Sequence, residues 1–246
     1  MDTEAAQHTE RDRSSGPADT ERAEEGSRSA AVSGPAPEAR EAKSSPGARR
    51  WRRAGVLAAL CLVFLLLVST FVLQPFLIPS SSMEPTLSTG DRVLVNKLAY
   101  RFGAEPERGD VVVFDGSGYF GDSDYIKRVV GVGGDRVTCR GKQGGAQGRI
   151  EVNGEPVDEP YLYPGDAPST VPFDVVVPEG SLFVLGDHRS DSSDSRDHLG
   201  SPGGGMVPVD TVIGRADWIA LPFDRSTSLD RPDAFARVPK PGGAHG

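Results

Sequence analysis

The chain has 246 residues and a formal net charge of −8, which leaves room for one domain of ordinary size beside an anchor and tails and disfavours a nucleic-acid partner. Its 30 glycines and 20 prolines make about a fifth of the residues against a usual ~12%, a proportion that favours short strands and loops over a helical bundle. Only two cysteines occur, Cys61 inside an apolar segment and Cys139 far from it, so no intramolecular disulfide is expected and both read as small apolar fillers.

In chain order, residues 1–46 are rich in Glu, Ala, Ser, Arg and Pro and hold no aromatic residue. They cannot bury enough apolar surface to offset the entropy of ordering, and they read as disordered. ARRWRR, Ala48–Arg53, then precedes VLAALCLVFLLLVSTFVL, Val56–Leu73, a stretch of about 18 residues without a charge. At 1.5 Å per residue this is roughly 27 Å, close to the ~30 Å core of a bilayer. A transmembrane helix is therefore expected over 54–75, with Trp51 as an interfacial anchor. Arginines crowd its N-terminal side and no basic residue lies between Leu73 and Asp91. On that asymmetry 1–53 is expected to be a disordered cytoplasmic tail with juxtamembrane arginines, and the rest to lie outside the cytoplasm. A cleavable signal peptide is disfavoured by the apolar length, the long leader and LQPFLIP where a small-x-small site should be.

Beyond the anchor the pattern is β. DRVLVNKLAY, RGDVVVFDG, YIKRVVGV, DRVTCR, RIEVNGEPV, PFDVVVPEG, SLFVLGD and DTVIGRADWIALP are short runs rich in Val and Ile, punctuated by Gly, Pro and Asp. Asn153-Gly154 predicts a hairpin, because both residues tolerate the positive φ of a type I′ turn. The fold class expected is mostly β, an antiparallel β-sheet domain behind one N-terminal transmembrane helix. Residues 226–246 read as a flexible C-terminal tail.

Three polar motifs carry the candidate chemistry: IPSSSMEPTL (Ile78–Leu87), YIKRVVG (Tyr125–Gly131) and GDHRSDSSDSR (Gly186–Arg196). A serine hydroxyl is a poor nucleophile at neutral pH, so it needs a base in reach and donors aimed at the developing oxyanion. Lysine serves as that base when burial keeps it neutral. Lys127 sits in a run that reads as a core strand, whereas Lys97 and Lys142 sit in polar contexts. A Ser-His-Asp reading through His188 or His198 lacks a GxSxG context for any serine. A metal held by His188, Asp191, Asp194 and His198 is disfavoured because the loop is flexible. The S-x-x-K pattern is absent, Pro85 standing three residues after Ser82.

On these motifs, in this order, the chain resembles the bacterial type I signal peptidases, peptidase family S26, from about Phe76 to Pro222. The resemblance implies a Ser-Lys endopeptidase that cleaves exported preproteins after small-x-small sequences, without a cofactor or metal. It implies Ser82 as nucleophile, Lys127 as general base, and Ser80 as a hydroxyl of the oxyanion hole. Ser192 would orient the lysine amine, with Asp187, Asp194 and Arg196 in support. The walls facing the substrate would be Ile78, Pro79, Met83, Leu87, Tyr125 and Ile126. A peptidase domain over 76–225 follows, with a reduced second lobe at about 135–180. The partners implied are secreted preproteins, the lipid bilayer and the secretion translocon. The rival is a catalytically silent, membrane-tethered β domain that binds signal peptides or translocon components. Ser82, Lys127, Ser80 and Ser192 together weigh against it, since a binding module has no need of a neutral lysine beside a hydroxyl.

Overall fold

One long helix precedes twelve strands in the described residues, 46–141 and 148–241, of the computed structural model. The chain divides into two units between Ala48 and Arg49, and apart from the first turn of the helix all that follows belongs to the second. The helix, α1, runs Pro46–Phe71. Its Arg49–Phe71 part is long and apolar enough to cross a membrane, and none of its apolar window is buried against the rest of the chain.

Both ends of α1 differ from expectation. The arginines at 49, 50, 52 and 53 lie inside the helix rather than in a disordered tail, since Arg, Ala and Leu are strong helix formers. At the other end the helix stops at Phe71 instead of 75, because Leu73–Leu77 becomes strand β1 and Pro75 has no amide hydrogen to continue a helix. Residues 1–45, the greater part of the expected disordered tail, lie outside the described residues.

The remaining strands are β2 (Arg92–Asn96), β3 (Val111–Asp115), β4 (Asp124–Val132), β5 (Arg136–Cys139), β6 (Ile150–Val152), β7 (Glu155–Pro156), β8 (Phe173–Val176), β9 (Ser181–Leu185), β10 (Val207–Pro208), β11 (Val212–Leu221) and β12 (Thr227–Ser228). Every Val/Ile-rich run of the sequence contributes to one of them. The larger sheet has the order β1-β2-β11-β3-β4-β9-β10, with β12 on β11, and the smaller has the order β7-β6-β5-β8. All their pairings are antiparallel. Pro75 is tolerated because β1 is an edge strand. The β6–β7 hairpin turns at Asn153 (φ 53°) and Gly154 (φ 82°), the positive pair that Asn-Gly predicts.

The span expected for a second lobe holds the smaller sheet. It packs on the larger one through a shared core in which Val130, Phe183 and Leu185 meet Val137, Ile150, Val152, Cys139 and Phe173. The two sheets come so close at Gly131 that a Cβ there would lie 2.5 Å from Val137 Cγ2.

Residues 226–241 are not the flexible tail that the sequence suggested. β12 pairs with β11, and Ala234, Phe235 and Val238 are buried in that shared core. Arg231 clamps Asp110 from Nε at 2.5 Å and Glu107 from Nη1 at 2.6 Å. A few apolar anchors and one arginine outweigh the Pro- and Asp-rich composition of the segment, since burying a large apolar side chain contributes roughly 1.5–3 kcal/mol. Residues 242–246 lie outside the described ones.

Candidate active site

β1 delivers the chain to the Ile78–Leu87 loop. Ile78, Met83 and Leu87 are buried with Val93, Val95, Val113 and Ile126 in one cluster, so the loop is held from beneath. It is not extended: Glu84 N–H donates to Ser81 O and Leu87 N–H to Met83 O, both at 2.9 Å. Ser80 and Ser82 nevertheless share a side, their hydroxyl oxygens 3.4 Å apart. Ser80 is exposed and Ser82 buried.

Lys127 stands on β4 opposite Val112 of β3. Its side chain is buried, and Nζ lies 2.7 Å from Ser82 Oγ. Burial disfavours the ammonium form and pushes the amine from its ordinary 10.5 down to about 8. Asp194, Asp187 and Asp191 pull it upward and Arg196 downward, but burial prevails.

The GDHRSDSSDSR segment closes the site from β9. Ser192 donates its hydroxyl to Asp194 Oδ2 at 2.8 Å, and Arg196 grips Asp194 with Nε and Nη2, each at 2.8 Å. Asp194 and Arg196 thus form a buried ion pair. Burial alone would raise the Asp194 carboxyl; the hydrogen bonds and charge of Arg196, with Gly186 N–H and Ser192, outweigh it and hold the group below its ordinary range. Among the described residues no hydrogen bond joins Ser192 to Lys127, so the expected orienting contact is not made directly. Gly186 is obligatory: a Cβ there would fall 2.2 Å from Ser192 Oγ and 2.5 Å from Ser82 O.

Asp187 meets a partner that sequence reasoning left unassigned. Arg128, next to Lys127, donates to Asp187 Oδ1 from Nε at 2.8 Å and to Oδ2 from Nη2 at 2.7 Å. Thr86, on the Ser82 loop, donates to the same carboxylate at 2.5 Å. Arg128 also reaches Gly109 O at 2.9 Å and lies over the Tyr161 ring, 4.2 Å from its centroid. The signal for this network was in the sequence, since a buried arginine in an apolar strand must find a carboxylate.

The proposed walls divide. Pro79 is exposed and Tyr125 half-buried, stacked on Phe114. Ile78, Met83 and Leu87 have at most 2% of their surface exposed and Ile126 has 9%. These four support the loop from the core rather than forming an open wall, because apolar side chains gain more by packing on Val93 and Val95 than by facing water. His188, His198 and Asp191 each have a partner of their own. His188 stacks on Tyr163 at 3.8 Å, His198 packs on Phe120 at 4.5 Å, and Asp191 accepts from Ser81.

A serine hydroxyl at hydrogen-bond distance from a buried lysine, with a second hydroxyl beside it, is the arrangement of a serine hydrolase in which lysine takes the place of histidine. Comparison with known proteins agrees. The family described as signal peptidase, peptidase S26, matches residues 49–221. Signal peptidase I of Mycobacterium tuberculosis is 39% identical over 222 residues, covering 71% of this chain and 74% of that protein. The probable signal peptidase I of Mycobacterium leprae is 36% identical, covering 80% and 85%, and signal peptidase IB of Staphylococcus aureus is 35% identical, covering 67% and 86%. A solved signal peptidase I from Enterococcus faecalis aligns at 25% identity and a TM-score of 0.35, over 45% of this chain and 96% of that one. The chain belongs to the signal peptidase family, peptidase S26.

Proposed function

We propose that Ser82 and Lys127 are the nucleophile and the general base with which this signal peptidase cuts exported preproteins. The observation that carries the reading is the 2.7 Å separation of Lys127 Nζ from Ser82 Oγ at a buried amine brought down to about 8. Neutral Lys127 takes the hydroxyl proton as Ser82 attacks the scissile carbonyl. The protonated amine then gives that proton to the departing amine, and a water activated by Lys127 hydrolyses the ester. Ser80 Oγ and the backbone N–H of Ser82 receive the oxyanion. Ser192, Asp194 and Arg196 hold the lysine's pocket, while Arg128 and Asp187 hold the Ser82 loop through Thr86. Catalysis needs no metal or cofactor on this reading.

The substrate lies extended along the site with small residues at the first and third positions before the cut, adding its backbone to the enzyme's own strands. Pro79 and Tyr125 line that path, and Ile78, Met83, Leu87 and Ile126 hold the loop beneath it from the core. α1 crosses the membrane with its arginine-rich end in the cytoplasm, so the domain from 76 to 241 works outside, where the secretion translocon delivers preproteins.

One experiment addresses chemistry and orientation together. Spheroplasts that carry the chain, given a preprotein from outside, should release a mature protein whose new N-terminus, read by mass spectrometry, follows a small-x-small sequence. Ser82→Ala should release none. Cleavage by Ser82→Ala removes the nucleophile assignment, and cleavage only after lysis reverses the orientation.

A further inference from the structure

α1 ends at Phe71, and the chain returns to that end once β2 is complete. Lys97 N–H donates to Val72 O at 2.9 Å, and Lys97 Nζ to Thr70 O at 3.4 Å. A lysine suits this place, since helix carbonyls there are unpaired and the dipole is negative. The residues that follow close in successive turns, with Ala99 N–H on Asn96 O, Arg101 N–H on Leu98 O and Ala104 N–H on Arg101 O. Tyr100 fastens the turn to the domain by its hydroxyl, 2.9 Å from Asp110 Oδ2.

The tip of this turn is Phe102. It is 97% exposed, and its φ is 62°. Phenylalanine in the left-handed region is rare, because a bulky side chain is strained there. An isolated exposed apolar residue is ordinary on a protein surface. Here, however, the turn is bonded to the last turn of a membrane-spanning helix and to the domain, and it still leaves its most apolar side chain uncovered. Leu98 is exposed beside it, and Lys97 and Arg101 flank them with long stems. Aromatic rings with basic neighbours that snorkel are what the boundary between headgroups and acyl chains accommodates.

We propose that the Lys97–Gly103 turn is a second membrane contact, which seats Phe102 in the outer face of the bilayer beside the end of α1. It rests on the reading of α1 as membrane-spanning, and its occupant is lipid because the turn is continuous with the helix end. Two contacts fix the rotation of the domain about the helix axis, which one helix alone leaves free, and so set the height of Ser82 above the membrane.

The natural cysteines allow a test in the full chain, reconstituted in phosphatidylcholine/phosphatidylglycerol vesicles and labelled with a thiol-reactive environment-sensitive fluorophore. In the unaltered chain the label reports Cys61 within α1, since Cys139 is buried. In the Cys61→Ser/Phe102→Cys variant it reports the turn. The Phe102→Cys label should lose most of its emission to nitroxides placed near the lipid glycerol and little to aqueous iodide, while the Cys61 label answers only to lipid nitroxides. Quenching at 102 by iodide but not by lipid nitroxides overturns the proposal. Protection from both also overturns it, since the turn would then be covered by protein. A Cys61 label open to iodide removes the spanning reading of α1 itself.

Discussion

Lys127 and Arg128 are neighbours on β4, 4% and 3% exposed, and their environments push them in opposite directions. Burial dominates at Lys127 and brings the amine down to about 8. Burial also works against the charge of Arg128, but Asp187 outweighs it and holds the guanidinium above its ordinary range. The difference lies in commitment of the carboxylates. Asp187 is bonded twice to Arg128 and once to Thr86, Asp194 to Arg196, Ser192 and Gly186 N–H, and Asp191 to Ser81. None is bonded to Lys127, whose hydrogen bond goes to Ser82. Two residues in one strand thus divide the work: one can lose its proton, and the other is a permanent cation that holds the loop.

The contrast breaks most completely in Lys127→Arg, which places a second permanent cation where the proposed mechanism needs a base. A loss of kcat/KM on the order of 10⁴-fold or more is expected, measured on purified protein with a preprotein. Near-normal turnover would make Lys127 a structural cation. On the other side of the comparison, Asp187→Asn removes the negative partner of buried Arg128. Stranding such a charge costs about 3–5 kcal/mol, so the urea midpoint of the detergent-solubilised chain should fall clearly. An unchanged midpoint would mean that Arg128 is not held as described. The smallest effect sharpens the contrast: Asp194 pulls the Lys127 amine upward and Arg196 downward. Asp194→Asn should therefore move the alkaline-rising limb of kcat/KM to lower pH, and a limb displaced to higher pH would contradict that electrostatic account.

How much of this was legible depends on how local the signal is. The strands followed from β-branched runs and turn residues, and Asn153-Gly154 marked its hairpin because the conformation is dictated by those two residues alone. Ser82 and Lys127 were marked as candidates by their motifs, and the structure brings their side chains within 2.7 Å of each other. The junction of α1 with β1 was not, since VSTFVLQPFL is apolar throughout and only pairing with β2 decides where helix yields to strand. The C-terminal segment read as a tail because three buried side chains are too few to show a period. Arg128, Thr86 and Tyr161 were missed for a related reason: Thr86 and Asp187 lie 101 residues apart, and no local pattern names a partner at that distance. Met83 and Leu87 sat in the right loop, but the sequence does not tell a substrate wall from the packing that supports it.

The central claim is that Lys127 works as a neutral base. Its sign is fixed: protonated Lys127 cannot accept the Ser82 proton, so kcat/KM, which reports the free enzyme, should rise about tenfold per pH unit on the acid side and level off above the lysine's pKa. Followed from pH 6 to 10 on a preprotein whose own groups do not titrate in that range, the limb should bend at about 8, the value to which burial brings the amine. A limb still rising without a bend at pH 10, as the ordinary lysine value of 10.5 requires, or a profile flat across this range, would contradict the account.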